Sequence, residues 1–475
     1  MMEYEIIVGL EIHAELNTKT KMFSGAPYHF KAEANTCTNE VDLAHPGTLP
    51  CVNHEAVKKA IELCTALDLY IDPLVRFDRK NYYYSDLPKG YQITQQFHPI
   101  GKDGKLQIDD DGIKKIIRID RIHMEEDTAK QFHLYDETLI DFNRAGVPLV
   151  EIVSKPDIRS GKEAALYVEK LRQTLTYLDV SYAKMEEGSM RCDVNISLRP
   201  KGSDVFGTKV EIKNLNSIAN IKDAIEYEAN RQKEILDGGG HIDQETRRFD
   251  EKTMTTVTMR KKEGSIDYKF FPEPNIFPIL ISQEEIDHIV SEMPELPDVK
   301  EHRYIEVYGL STYDASQLIA NKELALYFDE MMKSSIDPKA ACNILVSELV
   351  GQLTKRGEDI TSTKVQAKDL ARLVELISKG DISSKQGKEV LSVMLDGDDP
   401  DKIIEERGLK QLSDTSAIEK LVEEVLDENP TSIEDYKNGK DRALGFLVGQ
   451  LMKKSKGQAN PKMASDMLKD KLAKR

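Results

Sequence analysis

The sequence predicts an α+β protein in which the strands come first and the helices come last. Three observations carry this. Residues 1–293 mix short runs of period-two hydrophobicity with turn-rich loops and a few helices. The prolines of FFPEPNIFP (270–278) and MPELP (293–297) then punctuate the chain, since proline breaks both ladders and helices. Beyond them the apolar spacing is helical, giving a helical domain over 294–405 and a smaller helical tail over 406–475.

The first predicted strand is VGLEIHAEL (8–16). Val8, Leu10, Ile12 and Ala14 make an apolar face, and Glu11, His13 and Glu15 stand in a row on the other. A carboxylate and an imidazole two residues apart make half of a metal site, and a solvated polar face is the alternative. In KKIIRIDRIHMEEDTAK (114–130), a regular strand puts Ile117, Ile119, Arg121, His123, Glu125 and Asp127 on one face. Glu125 and Glu126 then point to opposite sides, so only one of them is placed as a direct ligand. A predicted hairpin follows. Cys192, Val194, Ile196 and Leu198 form its apolar face, PKGSDVFG (200–207) its turn, and TKVEIKN (208–214) its return strand. Centred near 202–203, it sets Asp193 about opposite Glu211. Two facing carboxylates repel unless a cation lies between them, either a flanking lysine or a divalent metal.

SIANIKDAIEYEANRQKEILDGGG (217–240) reads as a helix stopped by its glycines, and AKDLARLVELISKG (367–380) as one stopped at Gly380. In the tail, Leu444, Leu447, Val448, Leu451 and Met452 form one helical stripe. Basic residues Arg79, Lys80 and Lys89 lie within FDRKNYYYSDLPKG, suited to phosphate. Alternation sends the neighbouring Tyr82, Tyr83 and Tyr84 to opposite sides, so at least one packs, while another is free to meet a nucleobase or ribose. The sequence has neither a GxxxxGK[ST] loop nor a GxGxxG turn after a strand, and no nucleophilic triad stands out. Clustered carboxylates with basic neighbours suit metal-assisted phosphoryl transfer.

At 475 residues the chain is long enough for two to four domains. No apolar run approaches the ~20 residues of a membrane span. The acidic N-terminus predicts no signal peptide. Five scattered cysteines without a CxxC pair predict reduced thiols and a cytoplasmic protein, and they disfavour a structural zinc. The net charge of −17 is unlike that of a generic nucleic-acid binder. It is unevenly spread: 437–475 hold 11 Lys+Arg against 3 Asp+Glu, or +8, which leaves −25 on the remainder. A basic end on an acidic body suits a docked polyanion or a solubilising tail.

The blocks VGLEIHAEL (8–16), FDRKNYYYSDLPKGYQIT (77–94), HMEEDTAK (123–130), NRAGVPLVEIVSKPDIRS (143–160), KMEEGSMRCDVNISL (184–198) and GFLVGQLMKKSKGQANP (445–461) resemble the B-subunit family of tRNA-dependent amidotransferases. The resemblance implies an N-terminal cradle domain with an antiparallel sheet, a helical domain and a tRNA-binding tail. It implies a heterotrimer with an amidase-type A subunit, which releases ammonia from glutamine, and a small C subunit. The B subunit would use ATP and Mg²⁺ to phosphorylate the side-chain carboxylate of mischarged Glu-tRNA(Gln) or Asp-tRNA(Asn), and ammonia would then displace phosphate. Carried over by motif, the metal ligands are Glu11, His13, Glu125, Glu126, Asp193 and Glu211. Lys80, Glu125 and Glu126 are the catalytic candidates, and Arg79, Lys80, Lys89, Ser189 and Arg191 the ATP-binding ones. Lys440, Arg442, Lys453, Lys454 and Lys456 would meet tRNA phosphates. Two rival functions are a non-catalytic tRNA-binding scaffold and a metal-dependent phosphohydrolase.

Overall fold

Period-two alternation in the N-terminal half builds one nine-stranded sheet in the computed structural model, which describes residues 2–261, 267–409, 415–437, 440, 442–455, 459 and 461–474. Its strands are β1 (Tyr4–Glu15), β2 (Tyr70–Ile71), β3 (Gly101–Asp110), β4 (Ile113–Glu126), β5 (Pro148–Ser154), β6 (Met190–Pro200), β7 (Val210–Leu215), β8 (Glu245–Asp250) and β9 (Thr255–Lys261). They are ordered β9-β8-β7-β6-β1-β5-β4-β3-β2. Every pair is antiparallel except the parallel β7–β8 pair. This is an α+β fold with the sheet first and helical regions after it.

The sheet's apolar face is buried by helices. Val8, Leu10, Ile12 and Ala14 of β1 and Val194 and Ile196 of β6 are at most 1% exposed. They join one core with Ala164, Val168 and Leu171 of α1 (Gly161–Tyr177) and Ile221 and Ile225 of α2 (Ile218–Asp237). Each such aliphatic side chain contributes about 1.5–3 kcal/mol when fully buried. Helix α2 is capped by the Ser217 side chain, which accepts from Asn220 N, and it ends at Gly238, the first of the three predicted stop glycines. With the helices on one face, the polar rows of the central strands are left to the other.

Two irregularities alter the predicted registers. In β4 the buried apolar positions are Ile117 and Ile119, then Ile122 and Met124. The pairing with β5 shifts between Val153 and Ser154, leaving Asp120 as the extra residue. Ile117 and Ile119 therefore do not share a face with His123 and Glu125, as an unbroken alternation requires. In the β6–β7 hairpin Glu211 pairs with Asn195, two residues from the predicted Asp193 partner. The bulge that follows holds Asn214 at φ 62°, in the left-handed region that asparagine tolerates, and it sets Lys213 against Asp193.

The chain divides into two compact units, Met1–Pro297 and Asp298–Arg475. The second is helical. The predicted helix at 367–380 forms as Ala367–Lys379, with Gly380 at φ 78° closing it. The predicted stripe at 444–452 lies on the helix Arg442–Lys454, where Leu447 and Leu451 are fully buried. They pack with Ile418, Val422, Leu426 and Leu468 in an apolar cluster confined to residues 418–472.

Candidate functional site

The open face of the sheet gathers its polar residues where β1, β5 and β4 run side by side. Opposite His13 on β1 stands Glu151 on β5, and opposite Glu151 stands His123 on β4. Register alone therefore sets imidazole, carboxylate and imidazole in one row across three strands. His13 Nε2 lies 3.3 Å and His123 Nε2 3.2 Å from Glu151 Oε2. The same ring nitrogens lie 3.8 and 3.7 Å from the Glu125 oxygens. Glu11, His13 and Glu151 form one group of donor atoms within 4.8 Å of one another, and His123, Glu125 and Glu151 form a second.

The electrostatics follow from burying these charges together. Burial pulls the His123 imidazole down, but the Glu151 charge and the contacts with Glu125 outweigh it and push the group up to about 9. His13 is raised the same way: burial opposes, and Glu151 prevails. Burial disfavours the Glu151 carboxylate, yet the two imidazoles hold it well below the usual range. Glu11 is raised by burial and by the Glu151 charge. The His123 Nδ1 atom is buried and has no hydrogen-bond partner. Donors of this kind suit a divalent cation that accepts carboxylate oxygen and imidazole nitrogen.

A cavity of about 390 Å³ adjoins this row, lined among others by His13, Lys80, Glu125, Arg191, Asp193 and Lys213. Two of its three lysine and arginine side chains are already engaged. Arg191 donates to Asp127 Oδ2 at 2.8 Å. Lys213 lies 2.5 Å from Asp193 and 3.2 Å from Glu211, so the flanking lysine neutralises the facing carboxylates here. Lys80, on the short strand Asp78–Asn81, makes no ion pair among the described residues. Its ammonium instead lies 5.6 Å from the Tyr82 ring centroid and 5.0 Å from that of Tyr268.

The remaining candidates lie apart from the row. Glu126 turns away from His13: its carboxylate takes Lys89 at 2.6 Å and the Ile93 amide at 2.9 Å. Glu211 also accepts from Thr246 Oγ at 2.9 Å. Arg79 is held by Glu273 through two hydrogen bonds and lies 4.1 Å over the Tyr91 ring. Ser189 closes its own turn by bonding the Lys184 backbone. In the tail, Lys440 pairs with Asp435, and Lys454 with Glu424 and Glu428. Arg442 and Lys453 make no ion pair among the described residues, and Lys456 lies outside them.

Sequence inspection passed over Glu151 and placed His123 on the face of Glu125 without making it a ligand. Glu151 interrupts the apolar run PLVEIVS, and a carboxylate in such a strand needs a partner. His123 stands two residues before Glu125, so it shares that residue's face.

Residues 6–287 match the GatB/GatE catalytic domain, and residues 326–472 match the GatB domain. The chain is 51% identical to the B subunit of the aspartyl/glutamyl-tRNA(Asn/Gln) amidotransferase of Geobacillus thermodenitrificans, over the whole of both chains. It is 49% identical to the proteins of the same name from Lysinibacillus sphaericus and Staphylococcus saprophyticus, again over the full length of each.

Proposed function

The chain belongs to the B-subunit family of aspartyl/glutamyl-tRNA(Asn/Gln) amidotransferases, and on that premise we propose that it activates the side-chain carboxylate of a mischarged Glu-tRNA(Gln) or Asp-tRNA(Asn) by ATP-dependent phosphorylation. An amidase-type A subunit, held with a small C subunit in a cytoplasmic heterotrimer, supplies the ammonia that displaces the phosphate. The enzyme is then a glutamine-dependent carbon–nitrogen ligase. One observation carries the activation step: the largely buried His13–Glu151–His123 row opens beside a cavity whose one cation without a carboxylate partner, among the described residues, is Lys80.

A carboxylate is a poor acceptor for ammonia because oxide would have to leave. A transferred phosphoryl group supplies a leaving group, and its stabilisation is electrostatic rather than covalent. Glu11, His13, Glu125 and Glu151 would hold Mg²⁺, with Asp193 released from Lys213 as a further donor. Bound there, the cation neutralises phosphate charge. Lys80 meets the phosphates and the carboxylate to be activated, and gives up no ion pair to do so. Arg191 is fixed beside the same cavity by Asp127 and adds positive charge at a set position. Glu126 and Arg79 act one step back: Glu126 fixes Lys89 and the strand Tyr91–Thr94, and Arg79 fixes Phe271 and Tyr91 beside Lys80. Residues 1–293 form the activation domain, 294–405 a helical domain and 406–475 a tRNA-binding tail. The tail's own apolar cluster and the +8 charge of its last stretch, 437–475, support that division.

The test is reconstitution with the two partner subunits, ATP labelled at the γ-phosphate and mischarged tRNA. Glu11→Ala and Lys80→Met should keep tRNA binding and glutaminase activity and lose the phosphorylated intermediate. Wild-type amidation rates in both variants would refute this assignment and leave a tRNA-binding scaffold.

A further inference from the structure

Four aromatic rings run outward from the cavity that Lys80 lines. Tyr82 lines the cavity itself. Its ring centroid lies 5.7 Å from that of Tyr268, Tyr268 lies 5.9 Å from Phe270, and Phe270 lies 6.3 Å from Phe97. The interplanar angles are 74°, 64° and 72°, so no two of these rings lie face to face. The row brings together two segments far apart in sequence, 82–97 and 268–270, at the small sheet formed by Asp78–Asn81, Tyr91–Thr94 and Phe271–Pro272. Phe97 at its outer end is 51% exposed. Tyr83 and Tyr84, next to Tyr82 in the chain, are 95% and 61% exposed. Tyr82, Tyr268 and Phe270 are half-buried, so the row runs from the cavity wall to a ring left in water at Phe97.

The charges beside the row fit an anionic occupant. Lys80 sits against the first two rings, and Lys269 is exposed between Tyr268 and Phe270 in the chain. Neither makes an ion pair among the described residues. Aromatic faces interleaved with unpaired cations are how proteins hold unpaired nucleotides: each base stacks and the cations take the backbone. A free nucleotide has one base to stack, whereas this row offers four rings in sequence.

We propose that Tyr82, Tyr268, Phe270 and Phe97 form a stacking shelf for the unpaired 3′-terminal nucleotides of the aminoacylated RNA, leading its charged end into the cavity beside Lys80. The shelf rests on the function proposed above insofar as that names an aminoacylated RNA as substrate. It adds which residues receive the RNA end and by what contact.

The experiment uses the reconstituted heterotrimer and an RNA minihelix with 2-aminopurine at its 3′ terminus, without ATP. A second arm uses 2-aminopurine riboside triphosphate. Stacking quenches the fluorophore, so quenching on binding is expected in the RNA arm. Phe97→Ala and Phe270→Ala should each weaken RNA binding about 10-fold, within the range one stacked base contributes, and reduce the quenching. Phe97→Trp, which keeps a ring at the exposed site, should retain both. In the full reaction the alanine variants should raise KM for mischarged tRNA and leave KM for ATP unchanged. An unquenched RNA probe, or equal quenching and affinity in wild type and both alanine variants, overturns the shelf. So does a response confined to the triphosphate arm, which would assign the rings to the base of ATP. A wild-type enzyme that quenches the RNA probe but forms no phosphorylated intermediate would keep the shelf and overturn the activation step.

Discussion

Removing one carboxylate, Asp42, should cost the first unit more stability than any surface change. Lys21 is fully buried and Asp42 is 5% exposed, and Lys21 Nζ lies 3.1 Å from Asp42 Oδ2. After Asp42→Ala, the Phe142 carbonyl at 3.3 Å is the acceptor left to the ammonium. A stranded buried charge costs about 3–5 kcal/mol. Asp42 also accepts from Ser24 Oγ at 2.7 Å and from Asn39 N at 3.2 Å, and orphaning those donors adds about 1 kcal/mol each. The loss, about 5–7 kcal/mol, is a large share of the ~5–15 kcal/mol that holds a typical domain together. The exposed pair Lys201–Glu3, by contrast, contributes at most about 1 kcal/mol. Burial already lowers the Lys21 pKa, and losing Asp42 lowers it further. The unfolded state then binds more protons than the folded one, so the variant's deficit should shrink as pH rises toward the ordinary lysine range. Urea unfolding at pH 6 and pH 9 measures this, followed by near-ultraviolet circular dichroism of tyrosine because the chain has no tryptophan. Lys21→Met with Asp42→Leu should recover most of the loss. A loss under 1 kcal/mol in Asp42→Ala, or a double variant no better than the single one, refutes the reasoning. The network also bears on the site: Met22 N donates to Gly146 O at 2.7 Å, just before the strand that carries Glu151.

Three further outcomes are expected. Glu125→Gln should weaken divalent-cation binding at least tenfold in calorimetry while leaving stability nearly intact. Glu126→Gln, which strands Lys89, should lower stability by about 2–4 kcal/mol and spare cation affinity. Cation binding should release protons below about pH 9, because Glu151 and Glu125 hold His123 protonated against burial. Calorimetry in two buffers of different ionisation enthalpy reads that release. In chelator-treated protein the same raised pKa stabilises the fold fully below about pH 6.5 and is lost as pH rises through about 9. In the tail, Arg442→Ala and Lys453→Ala should each reduce the salt dependence of tRNA binding by about one unit of slope. Lys454→Ala should reduce it less, since that ammonium already serves Glu424 and Glu428.

What the sequence made legible was whatever is set within one element. The alternation of VGLEIHAEL fixed which face of β1 is buried, and the glycines after residue 237 and at 380 marked helix ends. What it left hidden depends on a second strand or a distant partner. The hairpin turn sets Glu211 opposite Asn195 and not Asp193, the bulge at Asn214 brings Lys213 to Asp193, and the shift at Asp120 changes which β4 residues face the core. The bulge at Asn214 leaves no mark in hydrophobic period, because it costs one residue and a positive φ, which asparagine tolerates. Arg79 looks like a free phosphate ligand until Glu273, 194 residues away, takes its guanidinium. Glu151 did leave a mark: a lone carboxylate inside PLVEIVS had to be answered by something buried.

Pairing also decides how substitutions around the cavity should be interpreted. Lys213→Met would leave Asp193 and Glu211, two like charges, without the lysine they share. Any loss of activity there would mix charge rearrangement with catalysis. Arg191→Met would likewise take the nearer guanidinium from Asp127, which is 5% exposed, and leave it Arg144 at 3.6 Å. Lys80 has no carboxylate to strand, and its ring contacts lie at a partly exposed edge. A Lys80→Met protein should therefore melt within a degree or two of wild type. Any defect it shows in forming the phosphorylated intermediate then belongs to the reacting groups and not to the fold. A protein this acidic that keeps one ammonium free beside its buried carboxylates leaves open a place for an incoming anion.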